Sequence, residues 1–182
     1  MSEPTLGAFL AGAWDILATS AGGAGDARQA ALASIGPDGG PRVRTVILRA
    51  ADRAEAAVEL HTDLASAKID ELRAEPRAAL LFWSAERQVQ IRARGPVAIL
   101  TGAAVEDRWR DVPDAARANY GGAPVPLTPL DAPGDWRETR ERARFAVLRM
   151  EIDALDLVRL GARHLRATYD AADGFTGQWR AP

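Results

Sequence analysis

From Arg87 to Leu100 the chain reads RQVQIRARGPVAIL. Val89, Ile91 and Ala93 fall on one side of that run, and Gln88, Gln90, Arg92 and Arg94 on the other. A period of two marks a strand with one buried and one wetted face. A chain holding such a strand needs an antiparallel sheet with an inside and an outside. Other segments supply its partners. Ala30–Ile35 reads as a short apolar strand, and Pro41–Arg49 as a second one rich in β-branched residues. Pro37-Asp38-Gly39-Gly40 between them has the composition of a tight turn. Val58–Thr62, Ala78–Trp83, Phe145–Leu157 and His164–Tyr169 complete the predicted set, with Ala78–Trp83 (AALLFW) expected to be buried on both faces.

Helical signals are fewer. Leu6, Phe9, Leu10, Trp14 and Leu17 are spaced by three and four, so residues 5–20 are expected to form an amphipathic helix packed on the sheet. Ser66–Arg73 reads as a short helix, and Ala104–Arg110 and Asp114–Asn119 as two more, split by Pro113. Asp135–Arg144 (DWRETRERAR) reads as a charged helix with a solvated face. Gly121–Gly134, rich in Pro and Gly, is expected to be a loop. The expected fold class is therefore mostly β with flanking helices, an antiparallel barrel in one domain over residues 1–182.

Composition narrows the function. There is no cysteine and there are only two histidines, His61 and His164, so thiolate chemistry and a His-rich metal site are not expected. The net charge of −2 has the wrong sign for a nucleic-acid partner. No apolar run nears the ~20 residues needed to span a bilayer, and Met1–Gly12 lacks a basic leader, so a cytoplasmic location is expected. The glycines of Ala21–Asp26 follow a helix rather than a strand, which argues against a dinucleotide loop.

Lys68 is the only lysine among 23 basic residues. It lies in Leu60–Lys68 (LHTDLASAK), where a strand ends near Thr62 and a helix begins near Ala65. Free amides at a helix start favour an anion. Thr62 and Ser66 add hydroxyls, Lys68 adds a charge, and Arg44 on an adjacent strand can add a guanidinium fork. A capped helix with a lysine on its outer face explains the same residues without a ligand. Gln90 offers an amide donor and acceptor to a ring edge, or simply a polar side chain on a wet strand face.

Together these residues resemble the pyridoxamine 5'-phosphate oxidase-like family of FMN-binding split barrels. The resemblance runs through Arg44-Thr45-Val46-Ile47-Leu48-Arg49, His61–Lys68, Glu75–Trp83 and Gln90–Gly95, four motifs in family order. A thinner match covers His164-x-Arg166-x-x-Tyr169 and Arg180-Ala181-Pro182. It implies FMN bound at a homodimer interface. Arg44, Ser66 and Lys68 would face the phosphate, with His61, Thr62 and Ala67 alongside. Thr45, Val46, Ile47 and Leu48 would pass the ring, and Gln90 would approach the ring or ribityl chain. Arg166 would reach in from the other subunit. Arg49 and His164 would face the substrate; no catalytic residue is assigned. The family's substrate-phosphate segment has no match near Trp109–Tyr120, and Ala162 stands where a basic residue is usual. A divergent FMN-dependent oxidoreductase with a different small substrate is therefore expected. The alternatives are a non-catalytic flavin module for storage or sensing, and a related split barrel for deazaflavin or heme.

Overall fold

The computed structural model describes residues 4–182. Helix α1 (Leu6–Ala21) is capped by Thr5, whose hydroxyl accepts from the Ala8 amide at 3.2 Å. It buries Phe9, Leu10, Ala13, Trp14, Ile16 and Leu17. Then come β1 (Gln29–Ile35), β2 (Pro41–Asp52), β3 (Ala57–Asp63), α2 (Ala67–Ala74), β4 (Arg77–Ser84) and β5 (Val89–Leu100). Two short helices, α3 (Glu106–Arg110) and α4 (Asp114–Arg117), precede a two-residue ladder of β6 (Gly122–Ala123) with β7 (Arg137–Glu138). Strands β8 (Phe145–Glu151), β9 (Ala154–Arg159), β10 (Leu165–Asp170) and β11 (Gln178–Arg180) follow.

All ladders are antiparallel, and the large sheet runs β11-β10-β9-β5-β4-β1-β2-β3-β8. A further β5–β8 pairing closes β5, β4, β1, β2, β3 and β8 into a six-stranded barrel. The barrel splits because β5 serves two partners. Its Val97–Leu100 half pairs with β8, and its Val89–Arg94 half with β9. Gly95 stands at the changeover. A Cβ there would lie 1.8 Å from the Glu151 carbonyl oxygen, so only glycine lets the strands cross this closely.

The main core joins α1 to the barrel interior through Leu17, Leu32, Leu48, Ile69, Phe82 and Ile91. A smaller cluster of Val105, Val112, Tyr120, Phe145 and Val147 lies outside β3 and β8. No described helix is long and apolar enough to cross a membrane.

Four sequence expectations change. Ala78–Trp83 is not buried on both faces: Ala78, Leu80 and Phe82 point inward, while Leu81 and Trp83 are each 39% exposed. Asp135–Arg144 is not a helix. Its arginines are anchored across the chain instead, Arg142 on Glu106 and the Gly102 carbonyl, and Arg144 on Asp63. Those tertiary ion pairs outweigh the i,i+4 pairs a helix would offer. Phe145–Leu157 is two strands, because the Ile152 amide donates to the Ala56 carbonyl and the Asp153 amide to the Arg94 carbonyl. Gln88 lies in the turn before β5, at φ 52°, so it does not share the strand face of Gln90.

Candidate functional site

Where β3 gives way to α2, Asp63 sets the turn. Its carboxylate accepts the Ala65 amide at 2.7 Å, and its carbonyl accepts the Ser66 amide at 3.0 Å. It also accepts a two-pronged bond from Arg144 (2.8 and 2.7 Å) and the Gly121 amide at 2.8 Å. Asp63 thereby ties the loop at 121–122 to the end of β3.

The helix that follows does not use Ser66 as a side-chain cap. The Ser66 and Thr62 hydroxyls instead accept from Lys68 Nζ, at 2.5 and 3.0 Å. Nearby carboxylates are engaged elsewhere: Asp63 holds Arg144 and Glu71 holds Arg44. Among the described residues Lys68 makes no ion pair, and its ammonium is satisfied by neutral hydroxyls alone. Partial burial, with the Arg44 charge as a second cause, holds its pKa below the usual lysine value.

Lys68 lines a cleft of about 480 Å³. One wall is β2. Its first edge pairs with β1 along Pro41–Ile47, but its second edge pairs with β3 only from Leu48 onward. The backbone groups of that second edge at Thr45–Ile47 therefore meet the cleft rather than a strand, and such an edge invites a hydrogen-bonding partner. A register slip between Leu48 and Ala50 makes Arg49 the bulge residue, which re-aims its side chain. Arg49 borders the cleft with its Nε buried and unpartnered, beside Tyr120. The opposite wall comes from Asn119 to Gly122, Pro126 and Trp136.

Strand alternation sorts the β3 residues. Leu60 and Thr62 share one face, Glu59, His61 and Asp63 the other. His61 meets Phe145 edge-on, with ring centroids 4.9 Å apart. Burial, then the neighbouring Arg49 charge, lowers its pKa from 6.5 to about 4.

The structure brings Thr45, Val46, Ile47, Arg49, His61, Thr62, Ser66 and Lys68 together in this cleft. Leu48 is fully buried in the core, and Ala67 is the first residue of α2. Arg44 does not line the cleft. Its guanidinium is bonded to Glu71, to Ser34 Oγ at 2.5 Å and to the Leu32 carbonyl at 3.4 Å. Gln90, Arg166 and His164 also lie elsewhere. Gln90 sits in a row with Trp83, Val158 and Arg166 on the outer sheet face. Arg166 forks onto Asp156 at 3.1 and 2.8 Å. His164 is exposed just before β10, near Arg166 and Trp179. Among the described residues no group of three or more His, Asp or Glu could hold a metal ion.

Sequence reasoning missed Glu71, Tyr120, Trp136 and Arg144 as organisers of the site, and had Asp63 only as one of three residues, with Thr62 and Ser66, able to cap the helix. Glu71 had one signal, its spacing of three from Lys68 on the same helix. The Asp63–Arg144 link spans 81 residues and left none.

Residues 14–101 match the family described as "Pyridoxamine 5'-phosphate oxidase, FMN-binding domain". A pyridoxine/pyridoxamine 5'-phosphate oxidase from Rhodopseudomonas palustris strain TIE-1 is 31% identical over 159 residues, 85% of this chain and 63% of that one. A second Rhodopseudomonas palustris strain gives the same match, and six further curated oxidases match over shorter stretches, of which this chain spans only 30–44% of the relative's length. A pyridoxamine 5'-phosphate oxidase-related, FMN binding protein from Nostoc punctiforme superposes with a TM-score of 0.76 at 24% identity, over 94% of this chain and 96% of that one. PhzG from Burkholderia lata, solved with tetrahydrophenazine-1-carboxylic acid, gives 0.72 at 18% identity, over 100% and 95%. Motifs, split barrel and cleft agree with these likenesses, and the chain belongs to the pyridoxamine 5'-phosphate oxidase-like family of FMN-binding split barrels, as a divergent member.

Proposed function

We propose that this chain is an FMN-dependent oxidoreductase acting on a small molecule, with the phosphate of FMN resting on Lys68 and two copies of the chain completing the site. The observation that carries the reading is Lys68 itself, a partly buried ammonium with only the Thr62 and Ser66 hydroxyls for company. A buried cation lacking a counter-ion is costly unless an anion arrives. The amides at the start of α2 add to the attraction. The residues present fit the cofactor: its phosphate suits this corner, and the edge of a flat ring suits the free backbone groups at Thr45–Ile47. When bound, a flavin supplies two-electron chemistry, and the protein's part is to orient and to polarise.

The outer face supports the dimer. Leu81, Trp83 and Val43 are exposed there, beside half-buried Gln90 and Arg166, and that face meets the cleft at Thr45 and Ile47. A second copy packed on it would deliver its Gln90 and Arg166 to the neighbouring cleft. The names of relatives support the reaction class, which include an oxidase and an FMN binding protein. The substrate differs from theirs on this reading.

Replacing Lys68 tests the seat. Lys68→Ala should weaken FMN binding by roughly 10- to 100-fold, the loss of a charge-assisted bond of about 1.5–3 kcal/mol. Thermal stability without cofactor should be nearly unchanged. Because Lys68 is the sole lysine, an amine-acylating reagent followed by peptide mapping reads the same site, and FMN should protect it. Equal affinities, or no protection, would remove the seat.

A further inference from the structure

Three side chains at the head of α2 hold more hydrogen-bond donors than the protein answers. Lys68 Nζ donates to the Thr62 and Ser66 oxygens and has one further N–H to give. Its neighbouring carboxylates are taken, Asp63 by Arg144 and Glu71 by Arg44. Each hydroxyl accepts from Lys68 and so keeps its own proton, yet among the described residues neither donates to a protein group. Thr62 is only 6% exposed, so an unclaimed proton there is a cost unless a ligand receives it. All three side chains line the open cleft. A tetrahedral oxyanion, with lone pairs on several oxygens, answers all three at once. Lys68 is also a nucleophile. It is the sole lysine, and the arginines that make up the other Lys and Arg positions keep their protons and do not compete for an acyl group. Burial, then the Arg44 charge, favours its free amine over the ammonium.

We propose that Lys68 is a modification site for small acyl phosphates, whose phosphate rests on the Thr62 and Ser66 hydroxyls while Nζ takes the acyl group. Lys68 first releases one proton to solvent. The amine lone pair then bonds to the acyl carbon, the carbon–oxygen bond to phosphate breaks, and the departing phosphate carries off the surplus proton of the amine. Nothing is oxidised or reduced. The product is an uncharged amide whose acyl group occupies the corner, so the modified protein no longer offers a cation to an anionic cofactor. That consequence rests on the FMN seat proposed above, whereas the acylation does not.

The probe is acetyl phosphate, given to the full chain beside a lysine-containing reference peptide, with peptide mass mapping as the readout. N-hydroxysuccinimide acetate, an acyl donor without a phosphate, is the comparison. Measured against the peptide, Lys68 should favour acetyl phosphate over the ester about tenfold, because a bound phosphate places the carbonyl beside the amine. Inorganic phosphate should slow the first reaction and leave the second unchanged. Thr62→Val keeps the shape of a buried side chain and removes its hydroxyl. It should cut the preference about threefold, the worth of one hydrogen bond. The ester rate in each protein accounts for any change in the amine itself, so the preference reads the phosphate contact alone. No preference for acetyl phosphate, indifference to inorganic phosphate, or a preference unchanged in Thr62→Val overturns the proposal. Flavin fluorescence separates this failure from that of the flavin reading. Preferential acetylation of a chain that does not bind FMN removes the flavin seat and leaves the modification site. FMN binding without preferential acetylation removes the modification site alone.

Discussion

His61 shows how a single side chain converts location into pH response. In the unfolded chain it takes up a proton near pH 6.5, whereas in the fold it refuses one until about pH 4. Between those values the unfolded state holds more protons, so acidification favours unfolding. The stability this residue contributes is complete above pH 6.5 and declines as pH falls towards 4. Denaturant melts of wild type and His61→Phe at pH 7, 6, 5 and 4 should therefore diverge, the wild type losing more on acidification and the gap levelling below about pH 4. Parallel losses in the two proteins would place the response elsewhere. Lys68 is shifted in the same direction, for the same first reason, burial. Both residues line one cleft, and His61 is turned to the opposite face of β3 from Thr62, whose hydroxyl holds Lys68.

At the scale of elements, the link between β2 and α2 needs its own account. Arg44 from the strand and Glu71 from the helix form an ion pair whose carboxylate is 6% exposed, and Ser34 Oγ donates to the same carboxylate at 2.6 Å. The family resemblance implies Arg44 beside a phosphate; within the protein its guanidinium bonds Glu71 and Ser34. Arg44→Ala would strand a buried carboxylate, so unfolding free energy should drop by about 3 kcal/mol. Urea titration checks this, and Arg44→Met with Glu71→Leu together should regain much of the loss. A stability unchanged by Arg44→Ala would mean that the pair is not holding strand to helix. Lys68→Ala carries no such penalty, because no carboxylate depends on it, and this contrast separates the binding role from the folding role. The Asp63–Arg144 pair works similarly, pinning the 121–122 segment that walls the cleft.

For the whole molecule, the outer face of the sheet decides whether one chain is enough. Leu81 and Trp83 project from β4 at 39% exposure each, and Val43 at 69%. Large apolar and aromatic side chains at the centre of a sheet face mark an interface. On the dimer reading, Leu81→Asp with Trp83→Asp should halve the mass measured by light scattering. It should also weaken FMN binding, although neither residue lines the cleft. A wild-type protein already monomeric with FMN bound would end that reading.

How much was legible beforehand follows from the range of the forces involved. The strands of β1 to β5, the turn at 37–40, α1 and the Thr62–Lys68 corner could all be read from residues within a dozen places of one another, because periodicity, turn chemistry and caps act locally. The four motifs carried the family likeness for the same reason, being short and contiguous. The sequence by itself determined a half-buried antiparallel sheet and a solitary lysine at the head of a short helix. Only the tertiary structure decided that Arg44 answers Glu71, that Arg144 answers Asp63 across 81 residues, and that Leu81 faces outward while Leu80 faces in. Charges and apolar side chains choose partners by distance in space, and that distance does not exist until the barrel has closed.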